Sequence, residues 1–314
     1  MEQAGAMIES NGLTKHFGGR TVVDDVSFRC GPGTVTGFLG PNGAGKTTTL
    51  RMLCGFSGPD AGNATVLGGA YRDLPNPGRR VGVLLDASAQ HSGRRGREVL
   101  TLSAETMGVD TDRVAGLLEL VDLDRAAAKR RVGQYSLGMR QRLGIANALI
   151  GDPEVLILDE PANGLDPEGM RWMRRLLRDF ADRGGTVLLS SHLLREVEAV
   201  ADRLVIIGNG KIVGEGSIEE LLAGAGTLVR AEDRPALERA LTAAGLTVHA
   251  HGEDGFVVDA EPRQVGAAAL SGGVVLTHLA PSGEAGLEQL FFELTSDGAG
   301  NSAGPREEVE ASHE

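Results

Sequence analysis

The sequence predicts an α/β fold built around buried parallel strands, with a small α+β domain after it. Uninterrupted apolar runs such as Val155–Leu158 and Val187–Leu189 are typical of parallel strands covered on both faces. Segments with helical spacing, for example 98–107, lie between such runs. The length of 314 residues suggests about two domains, each large enough for its own core. We therefore predict a larger domain at 7–222 and a smaller one at 223–296.

Composition narrows the class of protein. The net charge of −12 argues against a nucleic-acid-binding surface as the main function. Cys30 and Cys54 have no metal-ligand spacing and suit a reducing compartment, where both are expected to be packing residues. No secretory signal and no apolar run of about 18 residues are recognisable, so a role at a membrane would need a partner there.

A glycine-rich segment at 40–48 fits the phosphate-binding pattern G-x-x-x-x-G-K-[ST]. It lies between a predicted buried strand and a predicted helix, so glycine-permitted N–H groups and the helix N-terminus can face phosphate oxygens. Lys46 can reach the terminal phosphates, and the Thr47 hydroxyl can bind Mg²⁺. A chance match has odds of roughly one in a hundred. The predicted nucleoside triphosphate site comprises Gly40, Pro41, Asn42, Gly43, Ala44, Gly45, Lys46, Thr47 and Thr48.

Two carboxylates, Asp159 and Glu160, end one of the predicted parallel strands. Carboxylates there are costly unless they meet a cation or water in a site. In a P-loop protein this end of the sheet lies beside the phosphates. Asp159 can therefore hold Mg²⁺ through water, and Glu160 can accept a proton from the attacking water. His192 follows the next buried strand and is either a structural histidine or a contact of the γ-phosphate.

Two further positions have both a structural and a functional interpretation. Phe17 lies in a glycine-flanked turn among the short antiparallel strands predicted at 7–28, which are expected to break at Gly12. Its ring either stacks on a nucleotide base or covers the sheet. Ser136 is a natural N-cap for a helix that runs to about Ile150, and that helix N-terminus either favours an anion or is an ordinary capped end.

The remaining segments surround this predicted site. A helical insertion at about 87–150 separates two core strands, and its basic stretch at 94–97 is expected to be a solvated loop. Region 223–296 has the order β-α-β-β-α-β, which suggests a ferredoxin-like module, with a final helix at 287–294. Structural support is the favoured role of this region, and a part in dimerisation or regulation is the alternative. The Gly-, Ser- and Glu-rich tail at 297–314 is predicted to be disordered.

Taken together, the ordered motifs resemble one family, the ATP-binding subunits of ABC transporters, and within it the drug-resistance and antibiotic-exporter subgroup typified by daunorubicin resistance ATPases. The resemblance covers residues 7–222 and implies a P-loop NTPase of ABC type, with a mixed-sheet core, an antiparallel β subdomain and an α-helical subdomain. The roles it implies are adenine stacking for Phe17, Walker A for 40–48, Walker B for 155–159, catalytic base for Glu160, D-loop for Leu165 and Asp166, switch histidine for His192, and signature contacts for Ser136 and Gly138 across a dimer.

Two departures from the family pattern leave roles open. The signature reads YSLGM, so that Leu137 and Met139 replace its first glycine and its glutamine. The Q-loop position, usually glutamine, falls on Asp86. A carboxylate there can bind Mg²⁺ or water but cannot donate a hydrogen bond as an amide does. Gln90, four residues further on, is the alternative residue for that role.

The resemblance implies a homodimeric ATPase that uses ATP and Mg²⁺ at the cytoplasmic face of a membrane. A separate integral-membrane permease would carry the exported hydrophobic compound, a drug, antibiotic or lipid, and would dock on the loop around 86–97. No nucleic-acid partner is expected. The alternatives are a soluble ABC ATPase that acts on ribosomes or nucleic acid, and a nucleotide-binding regulator without turnover, against which the intact Lys46, Asp159, Glu160 and His192 argue. No motif sets export against import.

Overall fold

The computed structural model describes residues 5–223, 226–251 and 255–281, and these residues contain three separate β-sheets. In chain order the strands are β1 (Ile8–Phe17), β2 (Arg20–Cys30), β3 (Val35–Leu39), β4 (Ala61–Val66), β5 (Val81–Leu84), β6 (Val155–Asp159), β7 (Thr186–Ser191), β8 (Arg203–Gly208), β9 (Lys211–Ser217), β10 (Thr227–Ala231), β11 (Val248–His251), β12 (Gly255–Val258) and β13 (Leu276–Pro281).

Eleven α-helices lie between or after strands of the described residues, and within these ranges none is long and apolar enough to cross a membrane. The predicted helix at 287–294 and the predicted disordered tail at 297–314 lie outside the described residues. The helices are α1 (Lys46–Leu53), α2 (Pro77–Arg80), α3 (Gly96–Met107), α4 (Arg113–Leu120), α5 (Arg125–Lys129), α6 (Leu137–Leu149), α7 (Pro167–Asp182), α8 (Leu194–Glu198), α9 (Ile218–Ala223), α10 (Arg234–Ala243) and α11 (Pro262–Ser271).

The central sheet has the order β5-β6-β7-β3-β8-β9, and all neighbours except β8 and β9 are parallel. β3, β6 and β7 are buried along their whole length, as their apolar runs predict. Ser190 of β7 lies opposite both Phe38 of β3 and Asp159 of β6. The carboxyl ends of these three neighbouring strands are therefore level, at the edge where the glycine-rich segment follows β3.

The second sheet is antiparallel, in the order β2-β1-β4. The prediction of short strands that break at Gly12 was wrong, because β1 runs through this glycine. Its register shifts between Ser10 and Leu13, and Gly12 has a φ of +61°, so the residue forms a bulge within a continuous strand. A β-carbon at Gly12 would lie 3.3 Å from the Asp25 Oδ1, which disfavours larger residues.

A hairpin turn ties the two sheets to the glycine-rich segment. Gly210, between β8 and β9, donates its N–H to the Ala44 carbonyl at 3.1 Å and accepts the Asp24 N–H at 2.8 Å. Its φ is +83°, and a β-carbon there would lie 2.7 Å from the Val22 carbonyl oxygen. The Asn209-Gly210 turn is thus a contact between three segments as well as a chain reversal.

The helical insertion and the smaller sheet follow the predicted element order. Helices α3 to α6 lie between β5 and β6 and bury Leu100, Val114 and Leu143 in one core with the central sheet. In the C-terminal region the strand order is β11-β12-β10-β13, entirely antiparallel, and α10 and α11 bury Leu237 and Val265 in its core. This order of β-α-β-β-α-β elements is the one predicted from the sequence.

Candidate nucleotide site

At two positions of the loop between β3 and α1, only glycine fits the backbone. Gly45 has a φ of +106°, and a β-carbon on it would lie 2.7 Å from the Val22 carbonyl oxygen. A β-carbon on Gly40 would lie 2.4 Å from the Ile207 carbonyl oxygen. Contacts this short cannot be relieved by moving a flexible side chain, since the opposing atoms are backbone. The glycines therefore allow the loop to lie close against β2 and β8 ahead of the α1 N-terminus.

Lys46, the first residue of α1, is buried with 6% of its side chain exposed. Its ammonium donates to the Gly40 carbonyl at 2.6 Å and to the Pro41 carbonyl at 3.3 Å, so the side chain folds back along the loop. It also lies 3.4 Å from the Glu160 Oε1. A buried charge of this kind needs partners, and these three oxygens supply them.

Thr47 and Asp159 place hard oxygen ligands next to each other. The Thr47 hydroxyl donates to Asp159 Oδ2 at 2.6 Å, although 112 residues separate them in the sequence. The other carboxylate oxygen, Oδ1, accepts a hydrogen bond from the Ser190 hydroxyl. A hydroxyl and a carboxylate oxygen at this spacing form a donor set that suits Mg²⁺, which prefers oxygen ligands. The residues present therefore fit that ion.

Glu160 is held in the left-handed region, with a φ of +47°, which is unusual for a residue with a β-carbon. Both of its backbone polar groups are bonded by side chains. Its N–H donates to the Ser190 hydroxyl at 3.0 Å, and its carbonyl accepts from the Gln141 amide at 2.8 Å. Its carboxylate Oε2 lies 2.8 Å from the His192 Nδ1. The strained backbone thus points the carboxylate between Lys46 and His192.

Ser190 and Gln141 are residues that sequence reasoning missed. Ser190 is fully buried and bonds to both Asp159 and Glu160, while Gln141 is buried on α6 and reaches the Glu160 carbonyl. The signal for Ser190 is a hydroxyl at the end of an otherwise apolar buried strand. Gln141 has a weaker signal, namely a polar residue on the buried face of a helix that follows a cap.

The N-terminus of α6 is capped within the chain. The Ser136 hydroxyl accepts the Met139 N–H at 3.2 Å. A β-carbon on Gly138 would lie 2.6 Å from the Gly164 carbonyl oxygen, so this position packs closely on the D-loop. Leu137, which replaces a family glycine, is 46% exposed. Among the described residues, no hydrogen bond or ion pair joins Ser136 or Gly138 to the loop at 40–48.

Phe17, Asp86 and Gln90 lie outside this cluster of contacts. Phe17 is 52% exposed at the end of β1, with the Lys15 ammonium 5.5 Å from its ring centre. The exposed Asp86 accepts hydrogen bonds from the Ser88 hydroxyl at 2.6 Å and the Ser88 N–H at 2.7 Å, which lower the pKa of the carboxyl. Gln90 packs beside α6 with its side-chain carbonyl buried and without a partner in the described structure.

With this geometry in view, comparison with known proteins places the chain in a family. Residues 23–163 match the ABC transporter family. The bacitracin transport ATP-binding protein of Bacillus licheniformis is 40% identical over 68% of this chain and 71% of its own length. The daunorubicin/doxorubicin resistance ATP-binding protein of Streptomyces peucetius is 35% identical over 98% of this chain and 96% of its own length. A solved ATP-binding subunit of an ABC transporter covers 68% of this chain and 91% of its own at 27% identity, with a TM-score of 0.63.

The chain belongs to the ATP-binding proteins of ABC transporters. It is an ATPase, and the fold predicted from the sequence, a P-loop NTPase of ABC type, is confirmed. The family prediction, drug-resistance and antibiotic exporters, is likewise confirmed. The alternative of a ribosome- or nucleic-acid-directed ATPase gains no support from these relatives.

Proposed function

We propose that the loop at 40–48, Asp159, Glu160 and His192 form the ATP-hydrolysing site of an export motor. The observation that carries this proposal is the convergence of Lys46, Thr47, Asp159, Glu160 and His192 within direct hydrogen-bond or ion-pair distance. These residues come from the ends of two adjacent strands, β6 and β7, and the start of one helix, α1. A merely structural role would not explain a buried lysine, a buried carboxylate and a second, partly buried carboxylate together at one sheet edge.

Each side chain has a chemical task in this proposal. Lys46 lies where the β- and γ-phosphates would meet the loop, and the loop N–H groups bind their oxygens. Thr47 and Asp159 would hold Mg²⁺, which when bound neutralises charge on the phosphate oxygens. Glu160 accepts a proton from the attacking water, and His192 orients the Glu160 carboxylate through its Nδ1. Phe17, with half of its ring exposed, is free to stack on adenine.

The site is proposed to be completed by a second copy of the chain. Ser136 and Gly138 have no contact with the loop at 40–48 in the same chain, and they lie at a helix N-terminus, which favours anions. In a head-to-tail homodimer this terminus would close on the ATP of the other copy. Hydrolysis is then tied to association, because each half-site lacks its remaining donors until the two chains meet.

The motor is proposed to act at the cytoplasmic face of a membrane on a separate permease, which exports a hydrophobic compound. Relatives named for bacitracin transport and for daunorubicin resistance support an exporter, and the difference between those two cargoes indicates that the permease sets the substrate. The loop at 86–97 is the proposed docking surface, and either Asp86 or Gln90 fills the Q-loop role there. No nucleic-acid partner is proposed, given the net charge of −12.

The experiment measures ATP turnover of the purified chain beside Glu160→Gln, with and without the permease encoded next to it. Loss of the general base is expected to lower turnover by about 10²- to 10⁴-fold. Glu119→Gln, an exposed position on α4, is the matched control and should retain wild-type turnover. Turnover indifferent to Glu160 would overturn the base assignment, and turnover indifferent to any permease would favour the soluble alternative.

A further inference from the structure

Seven exposed basic side chains gather on two segments of the helical insertion, in a chain whose net charge is −12. The segments are 91–97, which runs into the first turn of α3, and 125–131, which contains α5. Neither segment contains an aspartate or glutamate. The basic patch consists of Arg94, Arg95, Arg97, Arg125, Lys129, Arg130 and Arg131.

Backbone pairing makes these two segments one continuous surface. Arg95 and Arg131 form an isolated antiparallel bridge. The Val132 N–H donates to the Arg94 carbonyl at 2.8 Å, and the Gly96 N–H donates to the Arg130 carbonyl at 3.3 Å. The fold therefore holds the backbones of these two exposed segments side by side, so that the basic stretch at 94–97 lies next to a second basic segment.

The charge of the basic patch is largely uncompensated. Arg95 lies 3.9 Å from Glu98, and Arg130 donates to the Gln134 carbonyl at 2.7 Å. The other five basic side chains make no ion pair with the part of the chain that the structure describes. The acids that border the two segments, Glu98 and Asp124, accept backbone N–H groups at the starts of α3 and α5. Their charge is thus partly used at helix termini.

We propose that the basic patch binds anionic lipid headgroups at the membrane surface. Basic clusters of this size attract anionic leaflets by an electrostatic force that acts within about 10 Å at physiological salt. The segment at 91–97 overlaps the surface proposed for the permease, whereas the segment at 125–131 lies outside it. Neither described segment exposes a large apolar side chain of the kind that anchors a protein contact, so headgroups beside the docked permease are the occupant that this charge favours. None of the seven residues belongs to the proposed ATP site, so this proposal does not depend on hydrolysis.

The experiment is sedimentation of the full chain with vesicles of phosphatidylcholine, with and without phosphatidylglycerol. The test variant carries Arg94→Gln, Arg97→Gln and Arg131→Gln, whose side chains make no hydrogen bond or ion pair with the described residues. The control variant removes the same charge at exposed positions of and beside α7, with Arg171→Gln, Arg175→Gln and Arg183→Gln. Thermal unfolding of all three proteins checks that the variants fold.

The wild type and the control are expected to bind the vesicles that contain phosphatidylglycerol and to be released by added salt. Each basic residue lost should weaken binding about fivefold, so the test variant should bind about a hundredfold more weakly. Equal binding by the test and control variants would overturn the proposal, as would a wild type that ignores phosphatidylglycerol. Loss of permease association without any loss of vesicle binding would also overturn it, in favour of an acidic segment of the permease.

Discussion

Two helix N-termini in this protein carry glycine and a hydroxyl residue, yet they differ in their contacts with the rest of the same chain. At the start of α1, Lys46 and Thr47 contact Glu160 and Asp159 of the same chain. At the start of α6, Ser136 bonds to its own first turn, and the described structure gives it no contact with the loop at 40–48. A single chain thus contains all the side chains of the proposed phosphate site and, in the described structure, a second helix N-terminus that favours anions but has no contact with that site.

The difference indicates where each terminus acts. The α1 terminus is organised by buried strands that end at one level, so the chain itself determines its geometry. The α6 terminus is fixed by packing of Gly138 on the D-loop, which itself ends at the cap of α7. Changes at α1 should therefore affect ATP binding by one chain. Changes at α6 should affect only the steps that need two chains.

Lys46→Ala is the variant expected to have the largest effect. It removes a buried cation that bonds to the Gly40 carbonyl and faces Glu160, so both nucleotide affinity and turnover should fall, turnover by about 10³-fold. Nucleotide binding by calorimetry and phosphate release by the same sample check this. Lys129→Ala, an exposed lysine without an ion pair in the described structure, is the control. Unchanged ATP affinity in Lys46→Ala would contradict the proposal that the N-terminus of α1 binds the phosphates.

Gly138→Ala tests the second terminus. Its β-carbon would lie 2.6 Å from the Gly164 carbonyl oxygen, so the end of α6 must shift, and turnover should fall by about 10²-fold. ATP affinity of the isolated chain should stay at the wild-type value. Gly116→Ala on α4 is a matched control, since no atom lies within 4 Å of a β-carbon there. A parallel loss of ATP affinity in Gly138→Ala would contradict the division between the two termini.

Ser190→Ala tests the hydrogen bonds that hold Glu160 and Asp159 beside the start of α1. It leaves the buried Glu160 N–H without an acceptor, which costs roughly 1–3 kcal/mol of unfolding free energy. It also releases one oxygen of Asp159, so kcat should fall more than KM changes, and more Mg²⁺ should be needed for half-maximal turnover. Ser190→Thr keeps the hydroxyl and should recover most of kcat. Equal kcat values for the alanine and threonine variants would show that Ser190 only fills space.

Asp86→Gln tests whether a carboxylate away from both helix N-termini contributes to turnover. Asp86 bonds to Ser88 and has no contact with Thr47 or Asp159 among the described residues, so turnover is expected to stay near the wild-type value. Gln90→Glu is the companion variant, because Gln90 is the other residue open for the Q-loop role. Titration of turnover against Mg²⁺ distinguishes them. A higher Mg²⁺ concentration at half-maximal turnover in Asp86→Gln alone would assign the metal contact to Asp86.

The smallest effect is expected for a change at Asp60, near Phe17, and it concerns stability. Asp60 bonds Lys15, whose ammonium lies near the Phe17 ring, and this bond and the His16 N–H lower the pKa of Asp60 to about 2. A lowered pKa stabilises the fold above the ordinary value of 3.8 and loses that contribution as pH falls through about 2.

Asp60→Asn should therefore unfold at a lower temperature than wild type at neutral pH, and the gap should narrow as pH falls below about 4. Thermal unfolding followed over pH tests this, with Asp73→Asn, an exposed position, as control. A gap that stays constant down to about pH 2 would mean that the Asp60 charge is not what joins β1 to the segment before β4.

The sequence was most informative where chemistry is local. The spacing from Gly40 to Thr47 lies within a single loop and the start of α1, and Asp159 and Glu160 directly follow an apolar run. Both motifs could therefore be recognised from the sequence without knowing which strands pair. The β-α-β-β-α-β order of the smaller region was likewise visible from alternating patterns. The roles of these residues in ATP binding remain predictions until the variants above are measured.

What the sequence could not supply depends on contacts between distant segments. Ser190 matters because β7 lies beside β6 in register, and Gln141 because α6 packs under the Glu160 carbonyl. Gly12 misled because a glycine in an alternating pattern is compatible with either a turn or a bulge, and the pairing with β2 decides between them. Helix α7 begins at Pro167 because the Asp166 carboxylate caps it by accepting the Gly169 N–H.

The Gly210 turn has a consequence for how the molecule opens. Its N–H donates to the Ala44 carbonyl and its own carbonyl accepts the Asp24 N–H, so this one residue links the antiparallel sheet to the loop at 40–48. Amide hydrogen exchange at Gly210 and Asp24 should therefore be slow and should share one opening free energy. Nucleotide binding would slow both amides together, which would make this turn a reporter of loop order in the intact protein.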